Sequence, residues 1–97
     1  MATQALKTSV GVAKVQQYGC MMLGFLAANN ADNQVTIAQK GGIELAIQAL
    51  KTHMGVAEVQ EQVCVMFGNL AANNADNMAT IAQKGGIEVG SKWPPKR

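Results

Sequence analysis

Residues 27–44, AANNADNQVTIAQKGGIE, occur again 44 positions later as residues 71–88, AANNADNMATIAQKGGIE. Only Gln34/Met78 and Val35/Ala79 differ among these 18 aligned positions. The correspondence runs upstream too. Gly11, Val12, Val15, Gln16, Cys20, Gly24 and Leu26 return as Gly55, Val56, Val59, Gln60, Cys64, Gly68 and Leu70, and Leu6-Lys7-Thr8 returns as Leu50-Lys51-Thr52. Two such similar stretches carry the same folding instructions, so the chain is expected to hold two equivalent units. A period in the forties, within the roughly 40–47 residues of two- and three-helix repeats, points to stacked helices.

Within each unit the apolar spacing is helical. Over 12–28, Val12, Val15, Gly19, Met22, Leu23 and Leu26 follow i, i+3, i+4, i+7 spacing and predict a long helix with that stripe inward. Asn29-Asn30 ends it and caps the next, because an Asn side chain accepts a hydrogen bond from a free amide of the first turn. Asp32 then suits the positive end of the helix dipole. The short helix, about 31–39, is expected to bury Val35, Ile37 and Ala38, and Gly41-Gly42 to reverse the chain with one residue at positive φ. A helix over 43–53 puts Ile43, Ala46, Ile47 and Leu50 on one face. The cycle then repeats, with a long helix over 56–72 (Val59, Val63, Met66, Phe67 and Leu70 inward) and a short one over 75–83. Met21, Met22, Met66 and Met78 are read as mostly core, with Met21 turned outward. At the N-terminus, residues 2–8 read as the end of a further helix. At the C-terminus, Pro94 lacks an amide proton and disfavours helical torsions at Trp93. Residues 90–97 are therefore read as a disordered basic tail, and residues 1–89 as the repeat domain, with units at 12–54 and 56–89.

A short helix, a Gly-Gly bend, a middle helix and a long helix closing on LAANN resemble the armadillo repeat. The resemblance covers about residues 2–89 and rests on the fixed-offset copy GxLAANNADNxxxIAQKGGIE. It implies an all-α fold, an armadillo-type right-handed α-solenoid with three-helix repeats of period 44. It also implies a non-catalytic binding scaffold whose long third helices line a groove for a protein or extended peptide. In peptide-binding members of that family a Trp, and an Asn four residues later, form ladders along the groove. Here those places hold Val65 and Asn69 in one unit and Met21 and Phe25 in the other. The Trp is absent from both and the Asn from one, which leaves a generic apolar groove rather than the ladder for a basic nuclear-import peptide. The i, i+4 stripes opposite the core faces give the groove residues: Gln17, Met21 and Phe25, with Glu61, Val65 and Asn69.

Charge and chemistry narrow the function further. The formal charge of +2 is concentrated in Lys92, Lys96 and Arg97; residues 1–90 carry five Lys against six acids. A near-neutral body argues against nucleic acid as a partner. The longest apolar run, 20–28, is far short of the ~20 residues of a membrane span. Cys20 and Cys64 hold equivalent places. In a stack these lie roughly 8–10 Å apart, beyond the ~7 Å a disulfide allows. Both are expected as free thiols on buried faces in a reducing compartment, hence a cytoplasmic address with the nucleus as second choice. His53, the only histidine, is read as a surface residue suited to a helix C-terminus. No nucleophile has a base beside it in sequence, and no Cys/His set has zinc spacing. The expectation is no enzyme, no cofactor, no metal and no small-molecule substrate. The alternative to a scaffold is a truncated structural fragment that self-associates into a homo-oligomer by stacking its repeat ends. In that reading Val12, Val15 and Leu23 at one end, and Ile81, Ile87 and Val89 at the other, lack cover.

Overall fold

The computed structural model of the protein describes residues 2–85, and every regular element among them is a helix. In chain order these are α1 (Ala2–Thr8), α2 (Ala13–Ala27), α3 (Ala31–Gln39), α4 (Gly42–Thr52), α5 (Ala57–Ala71) and α6 (Ala75–Gln83). α2 and α5 have 15 residues each, α3 and α6 nine each, so the sequence copy is a structural copy. The expected tail at 90–97, and the ends at Ile87 and Val89, lie outside the described residues.

The Asn-Asn pairs divide two tasks between them. Asn29 and Asn73 take left-handed backbone, both at φ 53°, a region Asn tolerates better than most residues. Asn30 and Asn74 then cap: the Asn30 Oδ1 accepts from the Asn33 amide at 2.9 Å, and the Asn74 Oδ1 from Asn77 at 2.9 Å. The Gly-Gly bend is divided likewise. Gly41 sits at φ 84°, which only glycine adopts without strain. Gly42 is required for space, since a Cβ there would lie 2.5 Å from Ile37 Cγ2 and 2.9 Å from the Ile37 carbonyl oxygen.

Side-chain amides join the helices into units. Gln16 Nε2 donates to the carbonyls of Leu6 and Ser9 at the end of α1, at 3.2 and 2.8 Å. Gln60 Nε2 does the same for Leu50 and His53 at the end of α4, at 3.3 and 2.9 Å. These carbonyls belong to helix C-termini, which have no intrahelical donor of their own. Both glutamines are buried.

The units meet chiefly along α2 and α5. His53 Nε2 lies 2.8 Å from the Val10 carbonyl oxygen, just before the two helices begin. Asn69 Nδ2 donates to the Gly24 carbonyl at 2.9 Å, near their ends. Beginning meets beginning and end meets end, so α2 and α5 run in the same direction. Their buried stripes, Cys20, Leu23 and Ala27 with Val59, Val63, Met66 and Leu70, join Leu6, Ile37 and the α4 face in one core. Each larger α5 side chain contributes about 1.5–3 kcal/mol by leaving water.

The inward stripe expected of α5 and α4 agrees with this core; that of α2 needs correction. Val12, Met22 and Leu26 are about half exposed, as is Val35 on α3. Leu23, expected to lack cover, is buried, and Val15 and Ile81 are partly covered. The buried face of α2 is instead Gln16, Cys20, Leu23, Gly24 and Ala27. This stripe of small and polar residues has little hydropathy contrast, so periodicity alone favours the neighbouring Val/Met/Leu stripe. Of the methionines, Met66 is core, Met21 half-buried, and Met22 and Met78 are 54% and 56% exposed.

Candidate functional site

The six expected groove residues fall three to a helix, Gln17, Met21 and Phe25 on α2 and Glu61, Val65 and Asn69 on α5. Spacing of four keeps each triplet on one side of its helix. The helices run parallel, and each triplet is offset from its helix's buried stripe. Phe25 is 69% and Val65 51% exposed. Glu61 is also exposed, while Gln17, Met21 and Asn69 are half-buried. Lys14 on α2 and Glu58 on α5 continue the two rows and are exposed. The face is therefore charged near the helix N-termini and apolar toward the C-termini.

Asn69 has a second task that spacing did not reveal. Its amide nitrogen bonds the Gly24 carbonyl, and its own carbonyl accepts from Gln34 Nε2 at 2.8 Å. Gly24 permits this approach. A Cβ there would lie 3.3 Å from Met66 Cα and 3.7 Å from Asn69 Nδ2. Asn69 thus fixes the spacing of the two rows as well as sitting in one of them. Tyr18 was missed in the sequence reading, although it lies seven residues before Phe25, two helical turns away on the same side. It is exposed and extends the aromatic surface.

The residues with chemical potential have structural surroundings. Cys20 is fully buried and burial pushes its thiol up to about 12, away from the thiolate that a nucleophile needs. Cys64 corrects the expectation of two buried thiols, because it is exposed. Both are free. His53 is likewise not a plain surface residue: it is half-buried and its ring ties the end of α4 to Val10. Among the described residues no group of three His, Cys, Asp or Glu side chains could hold a metal ion, and no helix is long and apolar enough to cross a membrane. Every buried side-chain nitrogen or oxygen there has a hydrogen-bond partner.

No protein-family model matches the chain, and no characterised protein or solved structure is significantly similar to it.

Proposed function

We propose that this chain is a non-catalytic protein-interaction module that holds an extended peptide or protein segment along Gln17, Met21, Phe25, Glu61, Val65 and Asn69. The observation that carries this reading is the exposure of Phe25 and Val65 on two parallel helices whose separation is fixed by the Asn69–Gly24 bond. An aromatic ring held on a rigid helix loses little entropy when it is covered, the property of an interface anchor. The finer architecture belongs to the same proposal: an armadillo-type right-handed solenoid with three-helix units. The 44-residue copy, the parallel long helices and the left-handed Gly41 support it. A cytoplasmic or nuclear setting fits two free thiols.

The test is selection of displayed peptides on the intact chain, followed by amide-shift mapping of the bound state. Shifts should centre on Met21, Phe25 and Val65, and Phe25→Ser should weaken the selected peptide at least tenfold while helix content is unchanged. Selection that enriches no sequence, or shifts confined to other faces, rejects the groove.

A further inference from the structure

The α2–α5 contact joins two unlike faces. α2 offers small residues, with Cys20 and Gly24 at the centre; α5 offers larger ones, with Met66 seated against Gly24. The repeat places a second copy of each face in the same chain. The small face recurs on α5 as Cys64 and Gly68, and both are exposed. The large face recurs on α2, where Val15, Met22 and Leu26 correspond to Val59, Met66 and Leu70. Met22 and Leu26 are about half exposed and Val15 is partly so. One copy of each face is used inside the molecule and the other is open. At the open small face a Cβ on Gly68 would meet nothing within 4 Å, whereas at Gly24 it would press on the Met66 backbone.

We propose that a second copy of this chain stacks on the first, laying its Val15–Met22–Leu26 face on the Cys64–Gly68 face and repeating the internal α2–α5 contact between molecules. The occupant follows from complementarity already realised in the structure: the faces that would meet are copies of two that fit, except that Gly19 stands where the buried Val63 does. The contact is head-to-tail. It uses different patches on the two partners, leaves one of each free at the ends, and so grows as an open row rather than closing as a symmetric dimer.

The intermolecular contact is weaker than the internal one, for reasons visible where the repeat is broken. Asn69 donates to Gly24 within the chain; the incoming copy brings Phe25 to the corresponding place, which has no donor. Gln34 Nε2 reaches the carbonyls of Asn69 and Ala72 within the chain, at 2.8 and 3.0 Å; at the open end its counterpart is Met78. With the Asn74 Nδ2–Gln34 Oε1 bond at 3.5 Å, four hydrogen bonds are therefore not reproduced, and the association is weak. Phe25 belongs to both this contact and the groove, but Gly68 and Met22 belong to this contact alone, so substitutions there test it independently of the groove.

The test uses the full chain under reducing conditions, from micromolar to millimolar, with sedimentation and timed alkylation read at each cysteine by mass spectrometry. Mass should rise with concentration. Cys64 alkylation should slow at least tenfold as it does so, while Cys20 stays unreactive throughout. Gly68→Leu adds bulk into open space and should remain monomeric with unchanged helix content. Met22→Glu blocks the other face and should also remain monomeric. Mixed in equal amounts, these two variants each retain one good face and should form a dimer that grows no further. A monomeric wild-type chain at millimolar concentration overturns the proposal, as does Gly68→Leu still associating or the mixture failing to pair. Cys64 protection that does not change on dilution also overturns it, and would mean that residues 86–97 of the same chain cover this face.

Discussion

Cys20 and Cys64 stand at the same place in two equivalent helices, α2 and α5, yet one is fully buried and the other faces solvent. Gln16 and Gln60 also stand at one place, and these two behave alike, both buried and both bonded to a pair of carbonyls ten and seven residues back. The distinction is one of reach. Contacts that close within about ten residues along the chain are repeated when the sequence is repeated: the glutamine clamps, the Asn30 and Asn74 caps, and positive φ at Gly41 and Gly85. Contacts that cross between units depend on which side of the stack a residue faces. Cys20, Gly24 and Gln34 look toward the second unit, while Cys64, Gly68 and Met78 look away from the first.

The sharpest way to break this comparison is to put the same side chain at both crossing glycines. Gly24→Leu forces bulk against the Met66 backbone, so the helices must part, and overpacking of this kind costs about 3 kcal/mol. Gly68→Leu should instead stabilise the monomer by roughly 0.5–1 kcal/mol, because glycine is a poor helix former and the added side chain meets nothing there. Urea denaturation at low concentration compares them. Equal losses would mean that the two faces do not differ as described.

The clamps offer the opposite control. Gln16→Ala and Gln60→Ala each remove the side-chain donor from two helix-end carbonyls. Ser9 and His53 keep the amides of Val12 and Val56, while Leu6 and Leu50 lose their side-chain partner, a loss of about 1–2 kcal/mol. Because the contact is local, the two values should agree within about 0.5 kcal/mol. A clear inequality would show that the units are not equivalent even internally. Gly41→Ala is a smaller perturbation, roughly 1–2 kcal/mol for holding a side chain at φ 84°. A loss below measurement error would remove the need for glycine there. Gly42 must be left intact in that variant, since its own constraint is steric.

The same division explains what could be read from the amino-acid sequence. Helix positions, the Asn30 cap, the Gly41 reversal and the inward stripes of α4 and α5 follow from local rules and strong apolar contrast, and all could be placed. The face of α2 could not. Its stripe of Gln16, Cys20, Gly24 and Ala27 is selected by close approach of α5, which no window along the chain contains. One of the two substitutions in the 18-residue copy, Gln34/Met78, carried information that had no interpretation without a neighbour. Gln34 is buried and bonded across to α5, whereas Met78 is exposed. Phe25, Val65 and Asn69 could be placed on their helices by spacing, but the Asn69–Gly24 bond that relates the two rows could not.

The smallest effect separates the cysteines by pH. Burial raises the Cys20 thiol from the ordinary 9.0 to about 12 in the folded chain. As pH rises past 9, the unfolded chain releases this proton and the folded chain retains it, so the unfolded state gains and stability falls. The contribution is fully present below pH 9 and is lost progressively as pH climbs toward 12. By pH 9.5 the loss is still modest, somewhat under 1 kcal/mol by linkage. Urea denaturation of the wild-type chain and of Cys20→Ala at pH 7.5, 8.5 and 9.5 isolates it, because titrating groups common to both chains cancel in the difference. Cys20→Ala should start lower, having lost a buried side chain, and should narrow its deficit as pH rises. A deficit that stays constant across this range would mean that Cys20 ionises without unfolding, and the buried inter-unit face assigned to it would have to be open to water.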